Sequence, residues 1–280
     1  MGATDSPAPG PIGPASASPR PPRAFEPLRN PRQSRSRSWS SLVELDHHLR
    51  ERSAQPLPEP GRCLPARVLH LTPGLVDLGD VAAEPEGWLG LLILDGLIVV
   101  ELDLGRGHVG WLVGANDFLR PWDMRELCLT SAASWRALTP SRVVLLDEQF
   151  SLRSDGLPAV TRAMVSQAAL TTHWLLAKSL IISVPLIEER LVLLFALLGE
   201  RWGKMTPAGV VLNLPLTHRI LAHLCGARRP SVTIALRTLG AQGVVERTAD
   251  HAWLLRRPRV QAGGFHPACW SRYVEALGLQ

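Results

Sequence analysis

The stretch "LTHRILAHLCGARRPSVTIALRTLG", residues 216–240, decides the reading of this chain. Thr217 can cap a helix running to about Leu224, whose inward face is Ile220, Leu221 and Leu224. Gly226 supplies a turn. A second helix then runs from Arg228 to about Leu239, with Val232, Ala235, Leu236 and Leu239 at core spacing. Upstream, "GVVLNLP" (209–215) reads as a strand. Downstream, "VVERTADHAWLLRR" (244–257) reads as two strands around Ala249-Asp250-His251. Helix, glycine turn and second helix with β-strands on both sides make a winged helix-turn-helix.

The second helix opens on Arg228, Arg229 and Pro230. In such a motif that end enters the major groove, where an arginine fork can bond phosphate or guanine O6 and N7. Proline is tolerated there because an amide in the first turn has no intrahelical acceptor to lose, and the helix N-terminus itself attracts phosphate. Residues 216–257 carry seven arginines against Glu246 and Asp250, a net +5. A merely solvated arginine face does not account for two of them at a helix start. Double-stranded DNA is therefore the expected partner.

Outward from this motif, the 280 residues suffice for two domains, and the 46% hydrophobic fraction for real cores. The net charge of +5 favours a polyanionic partner. Residues 1–58, rich in Pro, Ser and Arg, read as a disordered tail, with "SLVELDHHLRER" (41–52) as a short helix within it. Residues 59–156 alternate short apolar runs with Gly, Pro and Asp, the pattern of an antiparallel β-roll or barrel. Asp95-Gly96 between two apolar runs reads as a hairpin turn, and Gly105-Arg106-Gly107 as the next reversal. Gly105, Gly107 and Gly110 also match G-x-G-x-x-G, but a dinucleotide loop needs a following helix, and "HVGWLV" reads as a strand.

Residues 157–184 read as a long helix and hinge. Leu170, Trp174, Ala177 and Ile181 recur at spacings of 4, 3 and 4, the seam of a homodimer helix, with Lys178 off that seam. Pro185, Glu188 and Glu189 suit the first turn of another helix, with Leu191, Leu194, Phe195 and Leu198 on its apolar face and Gly203 as its stop. This places the winged helix-turn-helix domain at 185–258 and a C-terminal extension at 259–280. Lys178, Pro185 and Glu188-Glu189-Arg190 cut "WLLAKSLIISVPLIEERLVLLFALLG" (174–199) into pieces too short to span a bilayer, so no membrane partner is expected.

Cys63, Cys128, Cys225 and Cys269 are scattered without metal-ligand spacing and read as reduced thiols of a cytoplasmic protein; no metal or cofactor is expected. The histidines are dispersed, His218 and His223 are expected in surface polar roles, and no catalytic motif occurs, so no enzyme is expected.

The segments "LTHRILAHLCGARRPSVTIALRTLGAQGVVER", "GANDFLRPWD" (114–123) and "ALTPSRVVLLDEQF" (137–150) make the chain resemble the Crp/Fnr superfamily of bacterial transcription factors. The resemblance spans about residues 60–257. It implies an α+β architecture: a cyclic-nucleotide-binding-like β-roll (a double-stranded β-helix), a long dimerisation helix and a C-terminal winged helix-turn-helix. It implies a homodimer on a pseudo-palindromic site, RNA polymerase as a further partner, and a small-molecule effector of unknown identity. By the same resemblance Thr217 contacts the DNA backbone, Arg229 reads guanine and Ser231 lies near phosphate or base edges. Pro230 and Ile234 stand where cyclic-AMP-type members have an acidic reader and a second arginine; Arg228 and Thr233 are expected to compensate, with Arg237 beside them. Arg120-Pro121 replaces the Gly-Glu pair that holds the ribose, and "SAASW" (131–135) has no arginine for a cyclic phosphate. Cyclic-AMP binding by the usual cassette is therefore not expected. The competing expectation is a small-ligand sensor whose helix-turn-helix serves protein contacts.

Overall fold

The computed structural model describes residues 38–40, 66–76, 87–103, 105, 107–122, 132–155 and 158–256. The helix expected at 41–52, the C-terminal extension, and Cys63, Cys128, Cys269, Arg106 and Arg257 lie outside these residues.

Two antiparallel sheets form the roll. One has the order β1 (Ser38–Ser40), β2 (Ala66–Leu71), β9 (Ser141–Leu146), β4 (Gly90–Asp95) and β7 (Phe118–Leu119); the other has β3 (Gly74–Val76), β8 (Ala132–Ala137), β5 (Leu97–Asp103) and β6 (His108–Gly114). Strand β1 corrects the expectation of an unstructured tail at its own three residues. It pairs with β2 from Ser38 opposite Val68 to Ser40 opposite Ala66, so an otherwise open strand edge finds backbone partners.

Asp95-Gly96 is not a hairpin. Strand β4 pairs with β9 and β7, and β5 with β6 and β8, so the chain changes sheets here. Asp-Gly makes a turn here as expected, but the turn joins strands of different sheets. Asp95 accepts from the backbone N–H and the guanidinium of Arg142, which ties the end of β4 to β9. Gly96 has φ 94°, and a Cβ on it would run into Ser141. Asp103 does stand opposite His108, so β5 and β6 pair as consecutive antiparallel strands, as expected, and Gly110 lies within β6.

The roll interior packs Leu91, Ile93, Ile98, Val100, Val113 and Val143. Strand β5 buries its other face as well: Leu97 and Val99 join the core of the C-terminal helices. Cover on both faces explains why "LIVV" is uniformly apolar rather than alternating. Helix α1 (Glu148–Ser154), which the sequence pattern did not disclose, follows β9; Asp147 caps it by accepting from the N–H of Phe150.

Helix α2 (Pro158–Ser183) is followed, after a break at 184–186, by α3 (Ile187–Trp202). Arg190 binds this hinge: its guanidinium donates to the carbonyls of Val184 and Cys225. Strands β10 (Gly203–Thr206), β11 (Gly209–Leu212), β13 (Trp253–Arg256) and β12 (Val245–Arg247) form the third sheet, against which α3, α4 (His218–Cys225) and α5 (Arg229–Ala241) pack. Among the described residues no helix is long and apolar enough to cross a membrane.

Helix α2 carries apolar residues on every side, and the side that faces its own chain is not the one expected. Ile181 is 7% exposed within the core of the C-terminal helices, and Trp174 stacks against Trp202 with ring centroids 6.4 Å apart. Ala177 is half-buried beside them, and Leu170 is the most exposed of the four, at 38%. Lys178 belongs to this inner face and is 8% exposed. Val165, Leu176 and Leu180 are instead the most exposed large apolar residues of this helix. The seam expected at Trp174, Ala177 and Ile181 thus lies against α3 and the roll, and the free seam lies on the opposite side of the helix.

Candidate nucleic-acid interface

The motif is built from its caps. Thr217 Oγ1 accepts from the N–H of Ile220 at 3.2 Å and starts α4. Gly226 ends it in the left-handed conformation (φ 61°), and its N–H and that of Ala227 return to carbonyls of the last turn. Arg228 is the N-cap of α5 and Pro230 its second residue. Val232, Ala235, Leu236 and Leu239 point into the core as their spacing requires.

The rest of α5 faces solvent. Arg228, Arg229, Pro230, Ile234, Arg237 and Thr238 are exposed, and Ser231 and Thr233 half-buried. Among the described residues the guanidinium groups of Arg228, Arg229 and Arg237 have no ion pair or hydrogen bond. Thr233 is committed within the motif, donating to the carbonyl of Arg229 and lying 3.0 Å from His218 Nδ1. Burial, with Arg247 and Arg229 nearby, lowers the pKa of His218, so its ring is held toward the neutral form. Positive potential therefore converges where α4, α5 and the wing meet.

Strands β12 and β13 form the wing around 248–252, with His251 at φ 60°. Arg247 stacks over Trp253 at 4.9 Å, whereas Arg256 is tied to Glu246 at 2.8 Å and is partly neutralised. Of the two wing arginines, Arg247 keeps more of its charge for an outside partner.

The underside of α4 holds a buried pair whose acid, Glu101, the sequence pattern did not single out. His223, expected at the surface, is 8% exposed, and its Nδ1 lies 2.6 Å from Glu101 Oε1 in β5. Its ring stacks on His108 at 5.1 Å, and Arg219 stands 3.8 Å from the other Glu101 oxygen. This corrects the surface role: α4 lies against the roll, and its histidine meets a buried carboxylate there. A Cβ on Gly110 would stand 3.3 Å from His223 Cβ and 3.0 Å from the Val100 carbonyl, so the glycine sets how closely α4 approaches β6. A second polar link is Asp117 with Arg201, 2.9 Å apart and 5% and 6% exposed. Burial raises the Asp117 pKa, opposed by Arg201, the N–H of Gly114 and the Thr171 hydroxyl. The only available signals for these pairs are Glu101, an acid between apolar neighbours in the strand "LIVVELD", and Asp117 in the turn after β6.

At the position of the cyclic-nucleotide cassette, Arg120 donates to the Leu89 carbonyl at 3.2 Å and lies over the ring of Trp122 at 5.4 Å. It is engaged with its own roll.

Comparison with known proteins agrees with this geometry. Residues 189–262 match the Crp-like helix-turn-helix domain. Regulatory protein CysR of Synechococcus elongatus is 33% identical over 115 residues, covering 37% of this chain and 55% of that protein, so the match spans about half of the relative's length. A CooA double mutant from Carboxydothermus hydrogenoformans aligns at TM-score 0.53 with 19% identity, over 69% of this chain and 84% of that one. A cyclic nucleotide-binding domain containing protein from Listeria monocytogenes aligns at TM-score 0.55 with 16% identity, over 68% and 88%. Residues 189–262 thus carry a Crp-like helix-turn-helix, and the roll and long helix before it share the fold of these solved structures.

Proposed function

We propose that this chain is a sequence-specific DNA-binding transcriptional regulator, acting as a homodimer on a pseudo-palindromic site. The observation that carries the reading is the mouth of α5, where two unpaired, exposed guanidinium groups flank a free helix N-terminus on a rigid, glycine-turned motif. Arg229 reads a base edge, Arg228, Ser231 and Arg237 work beside it, and Pro230 fixes the helix entry. Thr217 and Thr233 act chiefly by shaping the motif, since both hydroxyls are bonded within it. Two recognition helices would meet half-sites roughly 34 Å apart, one turn of B-DNA. The exposed seam of Val165, Leu176 and Leu180 supports pairing of two α2 helices. RNA polymerase is a further partner by likeness to the superfamily. The engagement of Arg120 within the roll supports a cyclic-AMP-independent input.

Selection of bound sequences from a random duplex pool tests this, with a two-fold motif as the expected result. Arg229→Ala should weaken binding to the selected site by about 1–3 kcal/mol and relax one base pair per half-site. If no duplex is retained at low salt, or Arg229→Ala binds the selected site like the wild type, the reading fails.

A further inference from the structure

Beneath the helix-turn-helix, α2, α3, α4 and β6 enclose a cavity of about 40 Å³. That is room for a few water-sized groups. Its walls are largely apolar, with Trp111 from β6, Trp174 from α2, Trp202 from α3 and Leu224 from α4. Arg120 and Pro121, at the place of the cyclic-nucleotide cassette, take no part in it.

Lys178 also lines this cavity. It is 8% exposed, and among the described residues it has neither an ion pair nor a hydrogen bond. The charged groups around it do not neutralise it. Asp117 and Arg201 are bonded to each other, and burial pushes the nearby Cys225 thiol up to about 12, so no thiolate is present at neutral pH. Burial lowers Lys178 itself to about 8, which still leaves it mostly protonated near pH 7. A buried ammonium without a counter-charge is costly, and here it sits at a cavity with aromatic walls.

We propose that this cavity binds a small organic anion, a carboxylate with a compact apolar body, which pairs with Lys178 and packs against Trp111, Trp174 and Trp202. The charge-assisted bond supplies the missing partner, and the small volume between the indole walls sets the preference for a short apolar body. Four elements wall the site, including the first helix of the DNA motif. An occupant therefore adds contacts between that motif and the roll, which is how a bound molecule changes their relative placement. The site shares no residue with the exposed face of α5 and stands whether or not the chain binds DNA.

The test uses the full-length chain without DNA. Acetate, propionate and butyrate are titrated by calorimetry and tryptophan fluorescence, beside acetamide, propionamide and butyramide. At least one acid should bind about tenfold or more tightly than its amide and perturb the emission of the tryptophans. Lys178→Met, checked for its fold by circular dichroism, should reduce that acid to the level of its amide. The proposal is overturned if no acid binds, if acids and amides bind alike, or if Lys178→Met retains the acid's affinity. The comparison of acids with amides on the wild-type chain decides the matter even should the variant fail to fold.

Discussion

Arg229 and Lys178 are both cations without a partner among the described residues, but one stands in solvent at the mouth of α5 and the other is enclosed beneath the same motif. Water solvates the first at almost no expense to the fold, so its meaning lies entirely in where the helix points it. The second is held out of water, so its meaning lies in the energy that the fold gives up to keep it. Arg201 completes the contrast: it is as buried as Lys178, yet bonded to Asp117 and the Ala115 carbonyl and stacked 4.5 Å over Trp202. Exposed cations of this protein are read by geometry, buried ones by their partners.

The largest effect expected is at Arg201. Arg201→Met leaves the Asp117 carboxylate buried with only the Gly114 N–H and the Thr171 hydroxyl, and should destabilise the chain by about 3–5 kcal/mol in urea unfolding. Changing both partners, Asp117→Leu with Arg201→Met, should recover most of that loss, since neither charge then remains to be desolvated. A double variant as unstable as the single one would mean that the guanidinium acts through its tryptophan and carbonyl contacts, not through the ion pair.

Lys178 should respond in the opposite sense. Its pKa falls from 10.5 to about 8 on folding, so the unfolded chain holds the proton more tightly between those values. Stability therefore rises with pH across that window, and below it the charged lysine costs the fold about 3 kcal/mol, at about 1.4 kcal/mol per pKa unit. Lys178→Met should accordingly stabilise the chain by up to that amount at pH 7, with the advantage vanishing by about pH 10.5. Unfolding curves of the two proteins at both pH values measure this. A variant no more stable at pH 7 would place a counter-charge beside Lys178 and remove the contrast with Arg229.

The same contrast separates what could be read in the sequence from what could not. The cap at Thr217, the left-handed turn at Gly226 and the core stripe of α5 are decided within a few residues of themselves, so local periodicity and turn chemistry suffice. The pairing of β5 with β6 is local in the same way. Partners far apart in the chain left no such trace: Glu101 and His223 are 122 positions apart. Asp95-Gly96 displays the chemistry of a turn but not which strands flank it, because the Arg142 that holds Asp95 lies in β9. The inner side of α2 has no distinct signature in the sequence, because apolar residues encircle that helix. Val165 and Leu180 serve a seam as well as Trp174 and Ile181 until α3 and the roll are in place. The burial of Lys178 is equally hidden in the sequence, since it depends on β6, α3 and α4 arriving together.

The smallest effect on the fold is expected at Arg237, where the contrast can be sharpened. This side chain lies on the outer face of α5, exposed and unpaired among the described residues, two turns beyond Arg229. Arg237→Ala removes no buried area and leaves no group unsatisfied, so stability should stay within about 0.5 kcal/mol of the wild type. If α5 follows the groove, as proposed from its first turn, Arg237 lies near a phosphate, and its loss should lower the slope of log affinity against log salt by about 1, equally for selected and random duplexes. Measuring both quantities on one variant distinguishes the possible roles of an exposed arginine. A fall in stability would make it part of the packing of the motif. An unchanged salt slope, with Arg229→Ala still weakening the selected site, would confine the interface to the mouth of the helix and tilt the far end of α5 out of the groove.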